Sequence, residues 1–118
     1  MLHVRGARIT PLAAETAMSD MQLTYQSGDE GVGPPAHSHN WDESFFITKG
    51  EVVFTCDGTT SRCGAGTLVH VPAGTVHAFH FGPGGGEILE ITGKGSGAIR
   101  MFANMAQAAP VGSRGQGQ

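Results

Sequence analysis

In the stretch PPAHSHNWDESFFITKG, His37 and His39 stand two residues apart and Glu43 follows four positions later, in a chain with only six histidines among 118 residues. An extended chain sends successive side chains to opposite faces, so the two histidines share a side. Asn40, Trp41 and Asp42 turn the chain back, and Glu43 opens the next apolar run, from which its carboxylate reaches the same point. His77 follows the turn Pro72-Ala73-Gly74 and begins another such run, which makes it a fourth candidate. Three neutral imidazoles and one carboxylate form a borderline-soft donor set. It suits one divalent transition metal (Fe, Ni, Mn, Cu or Zn) and leaves positions open for a substrate or dioxygen. On spacing alone, the same histidines fit a solvated polar turn.

The elements that must position these residues read as strands. Glycine is abundant, 19 of 118, and is spread among short apolar runs without a strict period. From Met21 onward, MQLTYQS, ESFFITKG, EVVFTCDG, TTSRCGAG, TLVHVPAG, TVHAFHFGPGGG and EILEITGKG are each rich in β-branched or aromatic residues and mostly closed by Gly, Pro or Asp-Gly. Many short strands joined by tight turns predict an all-β sandwich or barrel. Residues 1–20 read as an N-terminal arm with one short strand around Val4 to Ile9. Residues 21–108 read as the barrel domain, ending in a short helix marked by Ile99, Met101, Phe102 and Met105, and 109–118 as a flexible tail. GPGGGE is expected to be a hairpin loop. Asp57-Gly58 is a hairpin signal that sets Cys56 opposite Thr59 instead of Cys63, so no disulfide is expected.

Other function classes lack their signatures. The formal net charge is −3 and no basic stripe occurs, which argues against nucleic acid or an anionic membrane as partner. No apolar run approaches the roughly 18 residues needed to span a bilayer, so a soluble, cytoplasmic protein is expected. There is no nucleophile elbow, phosphate loop or dinucleotide fingerprint.

Wider spacing sharpens the reading of the histidines. Gly31, His37, His39, Glu43 and Gly50 are separated by five, one, three and six residues; Gly66, Pro72, Gly74 and His77 by five, one and two. These nine positions resemble the two motifs of the cupin superfamily, and the fifteen residues between them resemble the spacing in small single-domain, quercetin-dioxygenase-like cupins. The resemblance covers Met21 to Thr92. It implies a single jelly-roll β-barrel, with His37, His39, Glu43 and His77 as ligands of one metal inside it. It further implies an oxidoreductase of dioxygenase type acting on a small, partly apolar substrate, with Glu43 also serving as a base. Redox-neutral isomerase, cyclase or lyase chemistry and non-catalytic binding of a sugar or small acid are the alternatives. The fuller second motif ends in asparagine where this chain has Phe81, which points to an apolar lining beyond the metal.

Alternation from Glu43 turns Phe45 and Ile47 inward, and alternation from His77 does the same for Phe79 and Phe81; Val69 and Val71 join them. These residues read equally as a pocket wall and as plain core. Trp41 is expected either to cap the barrel mouth or simply to pack in its loop. His70 and His80 are out of phase with the ligands, and His3 reads as a surface residue. Phe46 faces outward, where it would support a homodimer.

Overall fold

The computed structural model describes residues 2–4, 6–13, 21–93, 103, 104 and 106. Its strands are β1 (Leu2–Val4), β2 (Ala7–Ala13), β3 (Met21–Gly28), β4 (Glu43–Cys56), β5 (Thr59–Gly64), β6 (Leu68–Val71) and β7 (His77–Gly93). All pair antiparallel, in the order β1-β2-β3-β7-β4-β5, with β6 alongside the first residues of β4. This is the all-β jelly roll the sequence predicts. Among the described residues no helix is long and apolar enough to cross a membrane.

Two strands are longer than expected. ESFFITKG and EVVFTCDG are one 14-residue strand, β4, and the runs on either side of GPGGGE are one 17-residue strand, β7. GPGGGE is therefore not a hairpin loop. Glu43–Gly50 pairs with Thr92–Gly86, then Val52–Cys56 pairs with Phe81–His77, so residues 82–85 bulge out against Glu51 alone. A bulge bends its strand without ending it. Glycine makes the bend possible: Gly50, Gly84 and Gly85 have φ of +75°, +82° and +80°, and a Cβ on Gly50 would lie 2.2 Å from the Gly85 carbonyl oxygen. Both long strands fold around this corner and close over the interior.

At the N-terminus, the single strand expected from Val4 to Ile9 is instead a hairpin. Gly6, at φ +87°, turns the chain so that Leu2 pairs with Ile9, and β2 then pairs with β3. Asp57 and Gly58, at φ +48° and +83°, form the expected tight turn; Cys56 pairs with Thr59, and both cysteines are free. Of the terminal helix, Ala103, Asn104 and Ala106 are helical. Ile99, Met101, Phe102, Met105 and the tail 109–118 lie outside the described residues, as does the side chain of His3.

The interior has two halves. Phe45, Ile47, Val52, Phe54, Val71, Phe79, Phe81 and Ile88 pack into one buried cluster, with Val69 partly buried against it. The rings of Phe45, Phe54 and Phe79 lie 5.2 to 5.4 Å apart, in tilted arrangements. Burying each such side chain contributes about 1.5–3 kcal/mol. The residues expected to wall a pocket are thus the packed core. On the β3 side the interior is polar instead: Gln22, Thr24, Gln26, Glu90 and Thr92 are all buried.

Candidate metal centre

Each candidate ligand is placed by backbone geometry. His37 and His77 face each other in an isolated antiparallel bridge, each backbone N–H donating to the other's carbonyl at 2.9 Å. His77 is the first residue of β7, delivered by a turn in which Thr75 N–H donates to Pro72 O at 3.1 Å and Gly74 takes φ +83°. A positive φ at that place in the turn requires glycine or a residue nearly as tolerant. The turn is fastened to the first histidine loop: Gly74 N–H donates to His39 O at 2.9 Å and Ala73 N–H to Asp42 Oδ1 at 2.8 Å. Glu43, the first residue of β4, is held between Val71 of β6 and Thr92 of β7.

This framework brings all four side chains together. His37, His39 and His77 can each offer a ring nitrogen such that the three lie within 4.8 Å of one another. Glu43 joins them, with Oε2 2.7 Å from His39 Nε2 and Oε1 3.5 Å from His77 Nε2. The Nδ1 of His37 lies 2.7 Å from Pro35 O and that of His77 2.9 Å from Thr75 O. A carbonyl can only accept, so Nδ1 carries the proton in each ring and Nε2 keeps its lone pair, which is how a metal-binding imidazole is prepared. His77 Nε2 and both ring nitrogens of His39 are buried without a hydrogen bond, the short approach of His39 to Glu43 being poorly directed for one. Buried polar atoms are rarely left unsatisfied. A cation at the point the rings share would satisfy one nitrogen of His39 and the Nε2 of His77. His37 and His39 are half-buried and Ser38 and Asn40 exposed, so the centre opens toward solvent on this side.

Trp41 does more than pack in its loop. Its ring stacks on His39 at 4.1 Å and 8°, and its Nε1–H donates to Glu43 Oε2 at 2.9 Å.

The surroundings hold His39 and Glu43, but not His77, toward the protonation state that ligation needs. Burial pushes His39 below the ordinary imidazole value, against the pull of Glu43. Burial would raise Glu43, but contact with His77, the Trp41 hydrogen bond and the nearby imidazoles hold it below the usual carboxylate value. His77 moves up, because its interaction with Glu43 and the Thr75 carbonyl outweigh burial. A metal needs neutral imidazoles and an ionised carboxylate, so binding here would displace any proton taken up at His77 Nε2. Burial raises both cysteine thiols, which leaves neither poised as a thiolate.

Comparison with known proteins settles the family. The cupin domain pattern matches residues 23–91, more than half of the chain. The chain belongs to the cupin family. This cupin is 28% identical, over 88 residues, to an uncharacterised protein of Streptomyces coelicolor (SCO3923), covering 65% of the present chain and 84% of the relative. Among solved structures it resembles KdgF from a Halomonas species (TM-score 0.72, 16% identity, 80% of this chain and 84% of that one). It is also similar to an RmlC-like cupin from Shewanella frigidimarina (TM-score 0.71, 17% identity, 84% and 89%). The polyketide cyclase RemF from Streptomyces resistomycificus is a third (TM-score 0.68, 20% identity, 78% and 68%). At such identities the likeness concerns the fold.

In this cupin, His70 and His80 are exposed and outside the centre; the Nδ1 of His70 lies 3.0 Å from Ser44 Oγ. One residue near the centre escaped sequence reasoning. Glu90, wholly buried, accepts hydrogen bonds at Oε1 from Thr24 Oγ1 (3.1 Å) and Gln26 Nε2 (2.5 Å) and is hydrogen-bonded to Glu43. Burial, then the charge and hydrogen bond of Glu43, push its carboxyl well above the ordinary value. The run EILEITG gave a faint signal, since Glu90 shares a strand face with Ile88 and Thr92.

Proposed function

We propose that this cupin is a metal-dependent enzyme in which His37, His39, Glu43 and His77 hold one divalent transition metal. Its chemistry is oxidoreductase chemistry of the dioxygenase type, on a small, partly apolar organic molecule. The observation that carries this reading is the set of imidazole nitrogens turned toward one point, two of them with the opposite nitrogen tied to a carbonyl. When bound, the metal would supply Lewis acidity and a redox-active centre with open positions. The protein's own groups do the rest. His37 and His39 leave the solvent-facing side of the centre open to a substrate, Trp41 and Glu43 fix the anionic edge, and the Phe45–Phe54–Phe79 cluster excludes water from below. Glu43, already in contact with His77, is placed to take a proton from an acidic hydroxyl or C–H of the substrate. We place the protein in the cytoplasm as a homodimer, acting on a small molecule with neither nucleic acid nor membrane as partner.

The test is to load the apoprotein in turn with iron, nickel, manganese, copper and zinc and to follow dissolved oxygen with a panel of flavonols, diketones and thiols. Oxygen uptake with one metal, lost in His77→Ala, is the expected result; no uptake with any combination sinks the oxidative reading. A second reading, redox-neutral isomerase, cyclase or lyase chemistry, draws support from Glu43, a carboxylate beside His77 that can move a proton without any change of oxidation state. Product formation under strict anaerobiosis would decide for it.

A further inference from the structure

Glu90 is an expensive residue for its location. It lies on β7, two residues before Thr92, and Thr92 is the register partner of Glu43. Both glutamates therefore project from the same sheet face as diagonal neighbours, near enough for long side chains to meet. Each is 3% exposed. Placing two carboxyl groups together away from water is costly unless their hydrogen bonds are met. In register opposite Glu90 stands Phe45 of the apolar core, so an aliphatic residue would have extended that core at no such cost.

The hydrogen bonds account for the carboxyl. From behind, Thr24 and Gln26 on β3 both donate to its Oε1, and Gln26 Nε2 also reaches Thr24 Oγ1 at 3.2 Å. Toward the centre, it is hydrogen-bonded to Glu43. Glu43 in turn meets His39, His77 and the Trp41 indole. A continuous path of hydrogen bonds and ion-pair contacts thus runs from the β3 wall to the candidate ligands. With Oε1 engaged by two donors and the remaining capacity directed at Glu43, Glu90 has no free edge to offer a substrate.

We propose that Glu90 is a positioning residue: buried diagonally from Glu43 across β4 and β7, and anchored by Thr24 and Gln26, it fixes the side-chain orientation in which Glu43 meets His39 and His77. The role needs a hydrogen-bonding side chain of this length and shape at this place in the barrel, and not a carboxyl as such. It rests on the metal-binding reading of the centre. Ligand-orienting partners of this kind change metal affinity by about 10- to 100-fold when removed.

The test compares full-length wild type, Glu90→Gln and Glu90→Leu. Cobalt affinity is measured by chelator competition at pH 7, together with the visible absorption spectrum of the cobalt-loaded protein. Glutamine keeps a hydrogen-bonding side chain of the same length and shape, so Glu90→Gln should retain the wild-type affinity and spectrum. Leucine should weaken cobalt binding by about 10- to 100-fold and alter the spectrum, because Glu43 is no longer held. Equal affinity and spectrum in wild type and Glu90→Leu overturn the positioning role while leaving metal binding intact. Glu90→Gln as weak as Glu90→Leu overturns it too, since a retained hydrogen-bonding side chain would not have rescued the site. Should Glu90→Leu not fold, the double variant Thr24→Val/Gln26→Met, which removes the anchors, must show the same spectral change, and an unchanged spectrum overturns the proposal. Failure of wild type itself to bind cobalt would instead sink the metal reading on which all of this stands.

Discussion

His77 carries the most testable demands at the scale of single residues. It is the most buried of the three histidines, its Nδ1 is committed to Thr75, and its Nε2 makes no hydrogen bond. His77→Ala should therefore lose bound metal, and retention of the wild-type content on elemental analysis would sink the four-ligand set. Acid should do the same reversibly. His77 titrates above the ordinary imidazole value of 6.5, so its ring gains a proton as pH falls through that raised value, and a protonated ring cannot ligate. Metal affinity should rise with pH across this range, and a flat profile in a chelator competition would contradict the assignment. Trp41, the chain's single tryptophan, gives an independent optical report. Because its ring stacks on His39, copper or nickel binding should quench its fluorescence, and a chelator should restore it. Trp41→Phe keeps the stacking surface but removes the Nε1–H donated to Glu43; affinity should fall without loss of fold, as followed by circular dichroism and metal titration.

Glycine decides the scale of elements. Gly50→Ala would bring a Cβ to 2.2 Å from the Gly85 carbonyl, where two long strands touch, and would also force a side chain onto φ +75°. Gly84→Ala faces open space at a similar φ of +82° and bears only the conformational cost, about 1–2 kcal/mol. Thermal melts of the two variants should therefore differ sharply, Gly50→Ala being much the less stable; equal losses would mean that the corner is not rigid. The same corner marks where sequence stops being legible. The convergence of His37, His39, Glu43 and His77 could be read, because the family resemblance rests on their fixed distances from turn-forming Gly and Pro, and local spacing survives folding. The continuity of β4 and β7 could not, because a glycine that bends a strand and one that ends it look alike until the partner strand is known. Nor could the polar wall. Alternation in MQLTYQS separates Gln22, Thr24 and Gln26 from Leu23 and Tyr25 but does not say which set faces in, and here the polar set is buried. Polar residues can occupy that face of β3 because Thr24 and Gln26 meet their hydrogen bonds on the buried Glu90.

Across the whole molecule, this division of the interior sets both association and pH response. The apolar half also reaches the outer surface: Phe46 is exposed, and its register partners are Leu68, 62% exposed, and Leu89, half-buried. An isologous contact through this row is the basis for expecting a homodimer. Phe46→Glu should shift the sedimentation coefficient to that of a monomer, whereas a wild-type protein already monomeric at high concentration would remove the expectation. The polar half makes the apoprotein sensitive to base. Glu90 ionises well above the ordinary value of 4.5 because it is buried beside Glu43. Between those two values the folded chain holds a proton that the unfolded chain has released, so folding stability declines as pH rises through that window. Glu90→Gln has no proton to lose there. Raised His77 also loses its stabilising charge toward higher pH, lowered His39 has the opposite dependence, and lowered Glu43 loses stability only toward acid; all three are present in both proteins, so the difference reports chiefly on Glu90. Chemical denaturation of metal-free wild type and Glu90→Gln should thus give midpoints that diverge as pH rises above 4.5, wild type losing stability relative to the variant. Parallel pH profiles would show that Glu90 ionises no differently in the folded chain than in the unfolded one, and that the buried wall carries no strained charge.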